Sequence, residues 1–125
     1  MVKLLTLLKR KPGMTMEEFM HHYETRHRVI GEKVLKPYAC RYVRRYLQPV
    51  PHVVTGEVEE SEHDVVMEIW FEDQARMDAF AAAAAEPAMW QEIVEDEERL
   101  FDRPKMRQFI LTECESDMQA WVQPG

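Results

Sequence analysis

With 125 residues, 46% of them hydrophobic and 31% charged, the chain has the size and balance of one soluble domain with a single core. Its formal net charge is −7, with acid gathered in residues 57–64 and 92–98, a surface that repels phosphate backbones and argues against a nucleic-acid partner. No apolar run reaches the length of a membrane span and the N-terminus lacks the pattern of a secretory leader, so a cytoplasmic protein with no membrane contact is expected.

Residues 2–9 (VKLLTLLK) carry leucine on both alternating faces and end near the Pro12-Gly13 turn, which predicts a strand buried on two sides. Thr15 stands three residues before Glu18, the spacing of a capping box. From there Met16, Phe19, Met20, Tyr23, His27, Ile30 and Val34 recur at intervals of three and four, one apolar stripe of an amphipathic helix that Pro37 stops. His27 lies inside the stripe, whereas His21 points to the opposite side and His22 to the flank. An imidazole so placed is either a neutral core histidine held by one hydrogen bond or a titrating group at a pocket.

Residues 40–47 (CRYVRRYL) read as a second strand, with Cys40, Tyr42, Arg44 and Tyr46 on one face and Arg41, Val43, Arg45 and Leu47 on the other. Residues 48–63 hold two prolines, a glycine and an acid run, so they read as an exposed connection in which His52 and His63 are solvated. Residues 65–71 (VVMEIWF) are strand by composition, with Val65, Met67, Ile69 and Phe71 on one face and Val66, Glu68 and Trp70 on the other. Asp73 is placed to cap a second helix, and Glu86-Pro87 opens a third that runs to about Phe101, with Trp90, Ile93, Val94, Glu97 and Leu100 near one side. Residues 106–113 form the last strand. Residues 115–125 are a tail whose Met118 and Trp121 are apolar enough to dock.

The order β-α-β-β-α-(α)-β is that of a ferredoxin-like split βαβ, an α+β fold whose helices cover one face of a four-stranded antiparallel sheet. The other face is then expected to carry Leu5, Leu7, Tyr42, Tyr46, Val66, Trp70 and, depending on register, Phe109 or Leu111. That is more apolar surface than a monomer leaves bare, so a twofold homodimer with facing sheets and an enclosed pocket is expected.

Metal chemistry has little support: His22 and His27 are five apart, and no HExxH or paired Cys/His set exists. Cys40 and Cys114 form no CxxC and read as packing thiols. The four glycines are unclustered, and Ser61 and Ser116 lie in polar stretches. No metal or cofactor is expected, which leaves acid–base chemistry. Glu68, between Val66 and Trp70, is either a buried carboxyl of raised pKa or the partner of Arg44 or Arg45. Tyr42 and Tyr46 either orient a phenolic or carbonyl substrate or pack. His27 is the titrating partner if its ring reaches the chamber, with His22 in reserve.

The wording of the first 30 or so residues, Lys9-Arg10-Lys11-Pro12-Gly13, Glu17-Glu18-Phe19, His22-Tyr23 and His27, resembles the opening of EthD-like proteins in the dimeric α+β barrel superfamily. Members typically read KRKPG…EEF…HW…HGPL here. This chain has Tyr23 where they carry Trp, and Arg28-Val29-Ile30 where they carry Gly-Pro-Leu. The resemblance implies one domain over residues 1–114, a dimeric barrel, and work on small aromatic or polyketide-like molecules. Taken with the strand patterns, the candidate catalytic groups are His27, Glu68 and His22, and the candidate substrate contacts are Tyr23, Tyr42, Tyr46, Trp70 and Arg44. Lyase-type chemistry (decarboxylation, dehydration or cyclisation) leads. A cofactor-independent monooxygenase and a non-catalytic protein that holds a hydrophobic metabolite are the alternatives. Some relatives in the superfamily bind or degrade haem, a property that fold alone does not transfer.

Overall fold

The computed structural model describes residues 1–119. The leucine-rich start is β1 (Val2–Leu8), followed by the Pro12-Gly13 turn, where Gly13 adopts φ +86°, a left-handed conformation that a Cβ would strain. Helix α1 (Met16–His22) begins at the capping box. Thr15 Oγ1 accepts from the Glu18 backbone N–H at 3.1 Å and donates to the Glu18 carboxylate at 2.9 Å. The long helix predicted from the stripe is then interrupted. Tyr23–His27 form a π-turn, in which the Arg28 N–H reaches back five residues to the Tyr23 carbonyl, before α2 (Arg28–Leu35) resumes.

Strands β2 (Ala39–Tyr46) and β3 (Val65–Phe71) follow, then α3 (Gln74–Ala84), capped by Asp73 at 2.8 Å, and α4 (Pro87–Leu100), capped by Glu86. A short 3-10 turn, Arg103–Lys105, leads into β4 (Arg107–Ile110). This last strand is half the predicted length. Beyond it the Leu111 N–H bonds the Lys3 carbonyl at 3.0 Å. The predicted docking of the tail is not seen at Met118, which is 76% exposed, and Trp121 lies outside the described residues. Among the described residues no helix is long and apolar enough to cross a membrane.

The sheet order is β2-β3-β1-β4 with every pair antiparallel, so β1 and β2 run parallel with β3 between them. That is the ferredoxin-like arrangement expected from element order. The core lies between sheet and helices in two clusters. One gathers Leu8, Phe19, Tyr23, Val65, Leu100 and Phe101, the other Val34, Leu35, Ile69 and Phe71, and Met67 packs against both. The basic residues before the turn anchor the acidic connection. Lys9 Nζ donates to Glu60 and to the Ser61 carbonyl, and the Arg10 N–H donates to Asp64 at 2.9 Å.

Candidate active site

In a regular α-helix, residues five apart point about 140° away from each other. That geometry puts His22 on the flank in the sequence pattern. The π-turn cancels it, because i→i+5 bonding brings residues five apart nearly into line. Both imidazoles now reach one carboxylate on α4. His22 Nε2 lies 2.8 Å from Asp96 Oδ1, and His27 Nδ1 lies 2.8 Å from Asp96 Oδ2.

Asp96 is 2% exposed. Burial works to raise its carboxyl, but the hydrogen bonds and charges of His22 and His27 outweigh it and hold the group below the usual carboxylate range. An ionised carboxylate only accepts, so the nitrogens facing it carry the protons. For His27 this sets the tautomer: Nδ1–H donates to Asp96, while Nε2 keeps its lone pair and no described residue bonds it. Tyr23 and Phe101 meet the ring nearly edge-on, at 5.3 and 5.2 Å between centroids. Burial pushes His27 below its ordinary value, against the upward pull of Asp96, so the neutral ring is favoured.

A cavity of about 330 Å³ lies between the sheet and helices α2, α3 and α4, with His27 in its wall. Its lining is mainly aliphatic and aromatic. The polar groups are few: His27, the Tyr42 phenol, the Glu97 carboxylate, and Thr6 with Gln108, whose amide donates to the Thr6 hydroxyl at 3.3 Å. This corrects the expected position of the pocket, which is on the helix side of the sheet and not on its bare face.

Tyr42 and Tyr46 move with that correction. Tyr42 pairs with Ile69 and Tyr46 with Val65, and directly opposed residues of an antiparallel pair share a face. Both tyrosines therefore face the helices; alternation within β2 alone does not say which of its faces joins which face of β3. Tyr42 lines the cavity, and burial pushes its phenol above the ordinary value, so it is a neutral donor. Tyr46 stands behind it, donating to Glu24 Oε2 at 2.5 Å. Arg44 binds the same Glu24 at 2.7 and 2.9 Å, with its guanidinium 4.7 Å from the Tyr42 ring centroid. Tyr23 is fully buried among Phe19, Tyr46 and Phe101, and its hydroxyl has no hydrogen-bond partner of proper geometry among the described residues. These three back the cavity wall and do not line it.

Glu68 and Trp70 lie on the opposite face of the sheet. Glu68 forms an ion pair with Arg45 and accepts from Trp70 Nε1 at 3.3 Å. The indole is itself covered by Lys3 at 3.8 Å and Arg41 at 4.4 Å. Glu68 and His27 are thus separated by the sheet. Of the predicted catalytic set, the structure joins His22 and His27 and leaves Glu68 apart.

Two groups escaped the sequence reading of chemistry, Asp96 and Glu97. Their run (EDEE) looks like a solvated acid surface. The available signal was spacing, since Asp96 stands three residues after Ile93 and four before Leu100, an acid inside an apolar stripe. Among the described residues no group of three or more His, Cys, Asp or Glu is arranged to hold a metal ion. Here each imidazole donates to its own oxygen of one carboxylate.

This architecture recurs among solved structures. HapK from Hahella chejuensis superposes with a TM-score of 0.60 at 12% identity, over 97% of this chain and 100% of its own. An EthD family protein from Bacillus halodurans gives 0.60 at 17% identity, over 91% and 100%. A dimeric ferredoxin-like protein of unknown function from Thermobifida fusca gives 0.56 at 10% identity, over 90% of each chain. At such identities the likeness carries the fold. No curated protein matches the sequence. The EthD domain model matches residues 11–104, from the Pro-Gly turn through both histidines, the cavity-lining helices and Asp96, and the chain belongs to the EthD domain family.

Proposed function

We propose that the protein is a small-molecule enzyme of proton transfer, in which His27 Nε2 is the general base. The observation that carries this reading is the Asp96–His27 pair, which locks one imidazole nitrogen and leaves the other without a partner among the described residues, on a ring that lines an apolar cavity. The fitting reaction class is removal of a proton next to a carbonyl. The neutral Tyr42 phenol then donates to the oxygen on which charge develops. Lyase-type dehydration and aldol-type cyclisation both follow from the carbanion so formed. The cavity's volume and its aliphatic and aromatic lining suit a small aromatic or polyketide-like ketone.

The functional unit in this reading is a homodimer. Leu5, Leu7, Val43, Val66 and Phe109 lie on the sheet face that no helix of the described residues covers, and a second copy is the occupant that hides them.

Solvent-deuterium exchange into a panel of aromatic ketones, combined with native mass spectrometry of the purified protein, tests the proposal. His27→Ala is expected to stay folded and lose exchange. Wild-type exchange in a destabilised His27→Ala protein would make the residue a core histidine. A tightly held ligand without turnover would make the protein a carrier.

A further inference from the structure

A further titratable group lines the cavity, and the base chemistry above leaves it unused. Glu97 follows Asp96 on α4 and shares the cavity wall with His27. Its Oε2 accepts from Arg103 Nε at 3.2 Å, and no described residue bonds Oε1. The side chain is 13% exposed. Arg103 is its cationic neighbour and also lies 3.9 Å from Glu98, while the charge of Asp96, beside it on the helix, adds to the upward push. Burial lifts the Glu97 carboxyl above the usual range, against the pull of Arg103.

A base and an acid in one apolar wall suit a substrate that loses a proton at one atom and gains one at another close by. We infer that Glu97 is the catalytic acid that works with His27 in this wall, and that the substrate is a β-hydroxy ketone with an apolar body, which the site dehydrates. The inference rests on the reading of His27 as base. His27 Nε2 takes the proton from the carbon between carbonyl and carbinol. The freed pair forms the carbon–carbon double bond as the C–O bond breaks, and the hydroxyl leaves as water with the Glu97 proton. Hydroxide is a poor leaving group, so this proton is the one the reaction most needs. The products are a conjugated enone and water. Imidazolium and carboxylate remain, and return of one proton between them restores the site without any change of oxidation state.

The test uses the aldol adduct of acetone and benzaldehyde as probe, with two readouts: deuterium uptake beside the ketone, and growth of enone absorbance. Wild type is expected to give both. Glu97→Gln is expected to go on exchanging while eliminating roughly 10²-fold more slowly. Glu97→Asp, which withdraws the carboxyl by one methylene, is expected to split the readouts the same way and serves if the Gln variant unfolds. His27→Ala is expected to lose both. Elimination at the wild-type rate by Glu97→Gln, or exchange without elimination by wild type, overturns the role of Glu97 and leaves His27 as base. Neither readout in wild type overturns the His27 reading, and the inference with it.

Discussion

The Tyr42 hydroxyl occupies the space that a side chain on Gly31 would need. A Cβ at Gly31 would fall 2.9 Å from the Tyr42 oxygen and 3.3 Å from two of its ring carbons. Residue 31 is therefore glycine for the sake of its neighbour, although glycine inside a helix costs about 1 kcal/mol relative to alanine. Gly31→Ala should gain that propensity and lose a similar amount by displacing Tyr42, leaving stability within about 1 kcal/mol of wild type. Because the displaced phenol lines the cavity, aromatic ketone binding should weaken by about tenfold, the loss of one neutral hydrogen bond. Thermal melts and quenching of Trp90 fluorescence, at the cavity wall, measure the two quantities. Unchanged binding would remove Tyr42 from the site.

Asp96 serves two rings at once, and an amide does not. In Asp96→Asn one oxygen still accepts, but the NH₂ group now faces the N–H of the other imidazole, so one histidine must turn or change tautomer. Turnover should fall by roughly 10²-fold or more, because His27 Nε2 no longer keeps its lone pair in place. Stability should fall by about 1–3 kcal/mol, the cost of a buried polar group left unpaired. Full activity in the Asn variant would show that the carboxylate does not orient the base.

The same cluster contributes to the acid response of the fold. His27 is depressed in the folded protein, so as pH drops below about 6.5 the unfolded chain takes up that proton first and stability declines. Asp96 is depressed too. Its contribution is complete above the unfolded value of about 3.9 and disappears as pH falls through the lower folded value. Thermal melts from neutral to acid pH should show two declines, and His27→Gln should remove the upper one. A His27→Gln profile parallel to wild type would mean that another group drives it.

The fold was legible because each element carries its own local signal: the Thr15 and Asp73 caps, Glu86-Pro87, and the alternation in residues 65–71. Of the candidate site, His27, His22 and Tyr42 were named from the sequence, but how they come together was not. Periodicity assumes 3.6 residues per turn, and the π-turn at Tyr23–His27 breaks that assumption at the one place where His22 and His27 must align. Tyr42 was misplaced for a different reason. Its face depends on pairing with Ile69, and register between strands that are 18 residues apart in sequence is a tertiary fact. Asp96 pairs with residues 69 and 74 positions away, a distance over which composition carries no information.

The bare sheet face supports the last prediction, a dimer. Its middle row runs Val43, Glu68, Leu5, Phe109 across the four strands. Glu68 is 8% exposed within that row and is balanced by Arg45 from the next, so the row presents no unpaired charge. The flanking cations are occupied as well: Lys3 pairs with Glu113, Arg41 lies on Trp70, and Arg107 binds the Pro104 and Met106 carbonyls. What remains available is apolar, with Phe109 48% exposed at the edge strand. Association driven by such a row should persist at high salt, since its attraction is not between opposite charges. Light scattering should report twice the chain mass at micromolar concentration in both low and high salt. Phe109→Asp, which places a carboxylate opposite Leu5, should give a folded monomer whose cavity, on the far side of the sheet, is unaltered. A wild-type monomer, or a Phe109→Asp dimer as stable as wild type, would show that this face is not where two copies meet.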